Sequence, residues 1–366
     1  MTGISSGKPS QSNGGPDRAN DRHAGDRHAG DRRAILVLLG AAVALHVLLA
    51  VTGLWRPMAW LAIVGSFIIL VFICERTGRM VPLRRRTAYE RTLAFGFPAL
   101  VLLLWQFAGD YGLINPTWFP QPSRIAAGLW DMTVRYDRFS ETSLIGRPWL
   151  IPEYFGRDGW AGVWSLLSES HVLATVSRVV VGFALGAIPG ILLGVAMGVN
   201  QTVRLMLDTT LSAVYVLPKI AIFPIVMLIF ADPFGEGPKI LVVALAVFIL
   251  MTINTMAGVR GIEKVYLMAG RNYGANSLQM MRHVIIPGAM PVIFAGLRIA
   301  LGTAMIVIIS VEFLRAKQGV GFITFYYWEV LNPEKMYAGL VVVMLLGVLL
   351  TQLLYWLQRR LMPWQR

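Results

Sequence analysis

Long apolar blocks constrain the fold of this chain more than any other feature of its sequence. Eight blocks within the 366 residues approach the length that a helix needs to cross the ~30 Å hydrocarbon core of a membrane. Hydrophobic residues make up 56% of the chain, charged residues only 14%, and the mean hydropathy is +0.61. A soluble domain of this length needs a more polar surface. The predicted fold class is an all-α integral membrane protein with spans at residues 34–54, 57–74, 92–109, 172–198, 207–231, 237–258, 289–312 and 337–358.

Arginines beside these blocks predict the orientation of the spans. Arginines precede the first span, follow the second and follow the last, as in the stretch from Arg76 to Arg91. Basic residues concentrate in the cytoplasmic loops of membrane proteins. Both termini are therefore predicted to be cytoplasmic, as eight crossings require. The same rule accounts for the formal net charge of +13, so we expect no nucleic-acid partner.

Composition divides the chain into segments. Residues 1–33 are polar and repeat the pentapeptide Asp-Arg-His-Ala-Gly, which predicts a disordered cytoplasmic tail. The next segments are a transmembrane hairpin at 34–74 and a basic cytoplasmic linker at 75–91. Residues 110–171 form an enlarged external loop, where Glu141 and Glu153 have no partner set by the sequence. The one cysteine, Cys74, excludes an intrachain disulfide.

Residues 259–288 carry the most informative pattern. The topology makes this segment cytoplasmic, and its apolar residues recur at helical spacing. Gly274 divides the segment and Pro287 ends it, which predicts two short amphipathic helices joined at a glycine. Small residues such as Ala269 and Ala275 allow another backbone to approach. Periodicity leaves open whether these helices lie on lipid or dock a partner.

The spacing in this segment resembles a known loop. Met268-Ala269-Gly270 is followed by three residues, a glycine, nine residues, a valine, one residue and Ile286-Pro287. It resembles the EAA loop of binding-protein-dependent ABC importer permeases, in which Glu-Ala-Ala, Gly and Leu-Pro stand at the same spacing. Met268 replaces the glutamate, which affects any charged contact that the glutamate makes. The resemblance implies an ATPase-coupling site of Met268, Ala269, Gly270, Arg271, Gly274, Ala275 and Pro287.

The resemblance extends over about residues 92–358. The sequence elements there resemble those of the nitrate, sulfonate and taurine branch of the family and occur in the same order. Its elements stand at 118–124, 171–198, 217–224, 254–259, 296–302, 312 and 319–321. It implies a type I ABC importer transmembrane domain of six core helices within residues 92–366, to which 34–74 is an added hairpin. It also implies a bacterial inner-membrane location.

The resemblance implies a function and partners. The chain is expected to be the permease subunit of an ATP-driven importer for a small anionic solute such as a sulfonate, taurine or nitrate. The implied partners are a cytoplasmic ATP-binding subunit, a periplasmic solute-binding protein and a second permease copy in a homodimer. The sequence has no G-x-x-x-x-G-K-[ST] element, so ATP and Mg²⁺ are expected on the partner. We expect no catalytic site, metal site or cofactor on this chain.

Polar residues inside the spans are candidates for the translocation path, because they are costly in lipid unless they face protein or water. The candidates are Tyr215, Asn254, Ser310 and Glu312. A bridge between helices is the alternative role for Asn254, and the outer membrane boundary is the alternative place for Glu312. Two other protein classes are considered, an ion-coupled secondary transporter and a polytopic membrane enzyme. Neither needs an EAA-like loop.

Overall fold

The computed structural model describes residues 16–53, 59–137 and 142–365. Most of these residues are helical, as expected for a chain whose backbone polar groups must be satisfied within lipid. The chain forms two compact units, residues 1–104 and 105–366, and the division falls within the third helix. The helices are α1 (Pro16–Val51), α2 (Ala59–Met80), α3 (Leu83–Asp110), α4 (Pro122–Val134), α5 (Ile151–Ser168), α6 (His171–Val199), α7 (Gln201–Val216), α8 (Lys219–Met227), α9 (Glu236–Arg260), α10 (Lys264–Asn272), α11 (Ser277–Met280), α12 (Ile286–Arg315), α13 (Val320–Glu329) and α14 (Pro333–Leu361).

The first unit contains α1, α2 and most of α3. Helix α1 packs along α2, and Asp31 on α1 forms an ion pair of 2.8 Å with Arg76 on α2. The Tyr89 hydroxyl on α3 donates to the Cys74 carbonyl on α2. Residues 1–15 of the predicted tail and 54–58 of the predicted hairpin lie outside the described residues. Residues 16–33 of the tail predicted to be disordered lie in α1, which begins at Pro16, a residue that suits a first helical position.

Three helices form the centre of the second unit. Helices α6 and α9 run parallel, and α12 packs antiparallel to α9, where Gly258 meets Val292 and Gly296 meets Asn254. The α6 glycines recur every four residues and all face α9. A Cβ added at Gly190 would lie 2.8 Å from the Phe248 carbonyl oxygen. The glycine spacing in the sequence therefore indicates the close helix contact that the structure shows.

One predicted span is wrong as a continuous helix. Residues 207–231 lie in two helices, α7 and α8, which are bent by 97° relative to each other. Leu217 and Pro218 between them have extended backbones. Proline has no N–H for the helix, and it disfavours helical geometry in the residue before it, so the helix ends at Val216.

The other predicted spans coincide with helices. Within the described residues, six helical stretches are long and apolar enough to cross a membrane, or seven if α7 and α8 together form one span. The remaining predicted span, 57–74, corresponds to α2 from Ala59 onward. The segment predicted as an enlarged external loop contains α4, α5 and a two-stranded antiparallel ribbon, β1 (Tyr136–Asp137) with β2 (Thr142–Ser143). Glu141 lies outside the described residues.

Candidate functional site

The segment from α10 to α11 forms a tight helix–turn–helix. Gly274, the predicted divider, has a φ of +76°, a left-handed conformation that glycine adopts without strain. Its N–H donates to the Arg271 carbonyl at 2.9 Å, and the Ala275 N–H donates to the Gly270 carbonyl at 3.1 Å. These two bonds form a Schellman motif, which satisfies the last carbonyls of α10. The predicted pair of short helices joined at a glycine is confirmed.

Helix α11 begins with a capping box. The Asn276 side chain accepts a hydrogen bond of 2.8 Å from the Gln279 N–H, and the Gln279 side chain accepts one of 2.9 Å from the Asn276 N–H. Such reciprocal bonds satisfy two backbone donors that a helix start otherwise leaves unpaired. The turn is therefore fixed at both ends by local hydrogen bonds, which makes it a stiff element.

A small-residue contact holds the two short helices together. A Cβ added at Gly270 would lie 2.5 Å from the sulfur of Met280, and Met280 is buried. Of the other predicted coupling residues, Met268, Ala269 and Arg271 are exposed, whereas Ala275 is half-buried. The glycine thus serves packing within the loop, and its neighbours on α10 face outward.

Large apolar side chains project from this loop. Tyr273 is 93% exposed and Leu278 is 76% exposed, and Val265, Tyr266 and Met268 are also exposed. Four basic residues (Arg260, Lys264, Arg271, Arg282) accompany one acidic residue, Glu263. The loop therefore offers an apolar and positively charged surface.

Pro287 does not end the segment as predicted. The chain continues from α11 through a π-helical turn at Met281–Ile285 directly into α12, where Pro287 occupies the first turn. The Ile286 N–H donates to the Met281 carbonyl five residues earlier. A π-helical turn accommodates a residue without an N–H, because the wider ring releases one backbone bond. The α10–α11 turn is thus continuous through helical backbone with a core helix.

Three of the predicted path residues lie on partly open faces of the second unit. Tyr215 is exposed near the end of α7, and its carbonyl accepts a hydrogen bond from the Lys219 amine. The Asn254 amide donates to the Leu250 carbonyl at 2.8 Å, and the Ser310 hydroxyl donates to the Ile306 carbonyl at 2.8 Å. Asn254 also packs against Gly296 of α12, as the alternative role between helices requires.

Glu312, the fourth predicted path residue, is placed differently. Its side chain is 0% exposed and lies 2.6 Å from an Nη atom of Arg178 on α6. The Thr175 hydroxyl and the Gly321 N–H also donate to its carboxylate, at 2.9 and 2.8 Å. This carboxylate is enclosed by its own chain and does not share an open face with the other three residues, and its place in the path stays a prediction. Burial of a charge requires such a set of partners.

The segment after α12 wraps around this carboxylate. Gly319 has a φ of +133°, and a Cβ added there would overlap the Glu312 carboxylate. The Gln318 carbonyl accepts a hydrogen bond of 2.6 Å from Arg178, and the Gly319 N–H donates to Nδ1 of His171 at 3.0 Å. The Gly-Val-Gly element and Glu312, noted separately in the sequence, therefore form one structure.

Two residues of this ion cluster, Glu236 and Lys239, were not predicted from the sequence. Glu236, at the start of α9, pairs with Arg178 through both carboxylate oxygens and accepts a hydrogen bond of 3.0 Å from the Lys239 amine. One feature of the sequence could have indicated this cluster. Arg178 is a cation inside the predicted span 172–198, and a charge in a membrane span requires a counter-ion. The cluster lies at the start of α9, whereas the α10–α11 turn follows its other end.

A family model and several known proteins are similar to this chain. Residues 190–363 match the family model described as binding-protein-dependent transport system inner membrane component. The taurine transport system permease protein TauC of Escherichia coli is 30% identical over 275 residues, which are 75% of this chain and 90% of that protein. The putative aliphatic sulfonates transport permease protein SsuC of Bacillus subtilis is 28% identical, over 78% of this chain and 92% of that protein.

A third relative is the nitrate import permease protein NrtB of Synechococcus elongatus. It is 25% identical over 73% of this chain and 88% of that protein. The three relatives carry the names of the branch that the sequence resemblance indicated. The chain belongs to the family of binding-protein-dependent transport system inner membrane components, and its fold is the predicted all-α type I ABC importer transmembrane domain.

Proposed function

We propose that this chain is the membrane path of an ATP-driven importer and that its 259–288 loop couples the path to ATP hydrolysis on a cytoplasmic partner. The observation that carries the proposal is the exposed helix–turn–helix of α10 and α11, fixed by the Schellman motif at Gly274 and continuous with α12. A coupling element must transmit a displacement, so it has to be stiff and attached to a moving helix.

The surface of this loop indicates the character of the partner. Exposed tyrosine and leucine side chains are typical anchors of protein interfaces, and a cleft with apolar walls and acidic edges would complement them. Met268 stands where the EAA pattern has glutamate, so the contact at that position is apolar in this chain. ATP-driven closure of the partner would then switch the permease between inward-facing and outward-facing states.

Membership of the family supports the remaining proposed partners and the proposed location. The proposed complex has a second copy of this chain, a periplasmic solute-binding protein and two ATP-binding subunits. The proposed location is the bacterial inner membrane, with both termini in the cytoplasm. In this orientation the Arg178–Glu312 cluster lies at the periplasmic end of the helices. The turn of residues 264–280, the proposed docking turn, lies at the cytoplasmic end.

The proposed substrate is a small anion with a sulfonate-like or nitrate-like oxygen group. The names of the relatives support this class, since they specify taurine, aliphatic sulfonates and nitrate. The polar side chains on partly open faces, Tyr215, Asn254 and Ser310, are uncharged. The Tyr215 hydroxyl and the second N–H of the Asn254 amide offer hydrogen bonds to an anion without the strong binding that would hold it in the path. The Ser310 hydroxyl already donates to the Ile306 carbonyl. Uptake of labelled taurine by cells expressing the complete transporter, with unlabelled sulfonates and nitrate as competitors, tests the class.

Co-purification tests the coupling. Tagged protein is extracted in mild detergent, and the associated ATPase is identified and assayed. The Gly274→Pro variant loses the left-handed turn and the 2.9 Å hydrogen bond to Arg271, so we expect it to lose the ATPase. Gly112→Pro is the matched control, because Gly112 has a φ of +65°, donates one turn bond and has open space around it. If the folded wild type brings down no ATPase, or if both variants keep it, the proposal fails.

A further inference from the structure

A cluster of arginines at the start of α3 has no role in the coupling mechanism. Between residues 75 and 91 the chain has six arginines and two glutamates, a net charge of +4. Arg76, Arg79 and Arg86 form ion pairs with Asp31, Glu75 and Glu90. Arg84, Arg85 and Arg91 are exposed, and none of them has a carboxylate partner within the part of the chain that the structure describes. These three are called the free arginines below.

The free arginines stand directly beside an apolar helix surface. Arg84 and Arg91 are seven residues apart and Phe95 follows four residues later, so all three lie on one face of α3. Phe95 is 76% exposed, and Leu103 further along the helix is 66% exposed. Cationic side chains at one end of a helix, followed on the same face by an exposed aromatic ring, match the headgroup and the acyl chains of a lipid.

We propose that Arg84, Arg85 and Arg91 bind the headgroup of an anionic phospholipid at the cytoplasmic surface of the membrane. The guanidinium group makes bidentate hydrogen bonds to phosphate oxygens, and its delocalised charge loses little hydration on binding. A free phosphate ion gains nothing from the apolar face of α3, whereas a phospholipid places its chains there. Juxtamembrane basic clusters attract anionic leaflets in the same way. The lipid anchors the α2–α3 junction, where only Val81 and Pro82 separate two helices.

Lipid retention by the full-length protein tests this site. The protein is reconstituted with equal amounts of phosphatidylglycerol and phosphatidylcholine, returned to detergent, and its bound lipids are counted by native mass spectrometry. We expect phosphatidylglycerol to be retained in preference. Arg84→Gln/Arg85→Gln should lower its apparent affinity about tenfold or more, and Arg84→Lys/Arg85→Lys should keep most of it because the charge remains.

The matched control removes two arginines of the same junction whose charges are already paired. Arg79→Gln/Arg86→Gln removes the same net charge, but these arginines pair with Glu75 and Glu90, so the retained phosphatidylglycerol should fall much less. Inorganic phosphate in excess should not displace the lipid. The proposal is overturned if the Arg84→Gln/Arg85→Gln variant retains as much phosphatidylglycerol as wild type, if both pairs matter equally, or if free phosphate competes fully. All variants change exposed residues, so size-exclusion profiles should match that of wild type.

Discussion

The guanidinium of Arg178 lies 2.6 Å from the carboxylate of Glu312, and the two side chains are only 3% and 0% exposed. One residue is near the start of α6 and the other near the end of α12, so the pair joins two core helices at the end opposite the docking turn. Each charge has further partners, Glu236 for the arginine and Thr175 for the glutamate. The two ions are therefore compensated within one chain.

Removal of the arginine alone should destabilise the protein strongly. Arg178→Met leaves Glu312 buried without its cation, and the loss of one partner of a buried pair costs about 3–5 kcal/mol. The melting temperature in detergent should fall clearly, and Arg178→Met/Glu312→Leu should recover part of it because no charge remains unpaired. The control is Arg157→Met, an exposed arginine paired with Asp158, which should change little. A wild-type melting temperature for Arg178→Met would contradict the role of the pair.

A methyl group at Gly319 should disrupt the same cluster. The φ of +133° is strained for any L side chain, and the new Cβ would overlap the carboxylate of Glu312. We expect Gly319→Ala to lose at least about 2 kcal/mol of stability. Gly302→Ala on α12 is the control, since nothing lies within 4 Å of its added Cβ. Equal thermal stability of the two variants would show that the segment can move away at no cost.

A glycine of α6 should be equally sensitive for a different reason. A Cβ at Gly186 would lie 2.8 Å from the Cβ of Val247 and would overlap the Ala244 carbonyl of α9. The two helices must separate to accept it, so Gly186→Ala should lower the melting temperature despite the higher helix propensity of alanine. Gly347→Ala on α14, with open space around it, should be neutral or stabilising. The same response from both would mean that α6 and α9 do not need close contact.

Hydrophobic length and turn residues account for what the sequence predicted well. The spans follow from the length of the apolar blocks, and the turn at Gly274 follows from a glycine between two amphipathic stretches. The missed features depend on tertiary partners. The sequence does not show that Glu236 reaches Arg178 across 58 positions, or that Glu312 is enclosed by the segment that follows it. The sequence also does not show that the chain bends sharply at Pro218 but continues as a helix at Pro287. The hydrogen bonds of the neighbouring backbone decide whether a proline ends a helix.

Acid should weaken one contact between α4 and α14. The Asp131 carboxylate lies 2.7 Å from the Lys335 amine, and this hydrogen bond lowers the pKa of Asp131 below its ordinary value of 3.8. A group whose pKa is lowered in the folded protein contributes stability above its unfolded pKa and loses it as the pH falls through the folded value. The stability difference between wild type and Asp131→Asn should therefore be present at about pH 6 and shrink below about pH 4. Thermal melts of both proteins across this range measure it, because the other carboxylates titrate in both. A difference that stays constant down to about pH 3 would remove Asp131 as its source.

Tyr273 should matter for partner binding and not for folding. Its side chain is 93% exposed at the tip of the docking turn, next to the left-handed Gly274. Because its ring has so little contact with its own chain, Tyr273→Ala should change the stability of the isolated protein by less than about 0.5 kcal/mol. An aromatic anchor at an interface contributes about 2 kcal/mol or more, so the affinity for the ATPase should fall roughly thirtyfold. Tyr111→Ala is the control, since Tyr111 is 70% exposed in the turn that follows α3, outside the docking loop. Affinity measured with the purified ATPase, together with thermal melts, separates the outcomes. Unchanged binding would place the anchor elsewhere on α10 or α11, whereas a fall in stability would mean that the ring supports the loop itself.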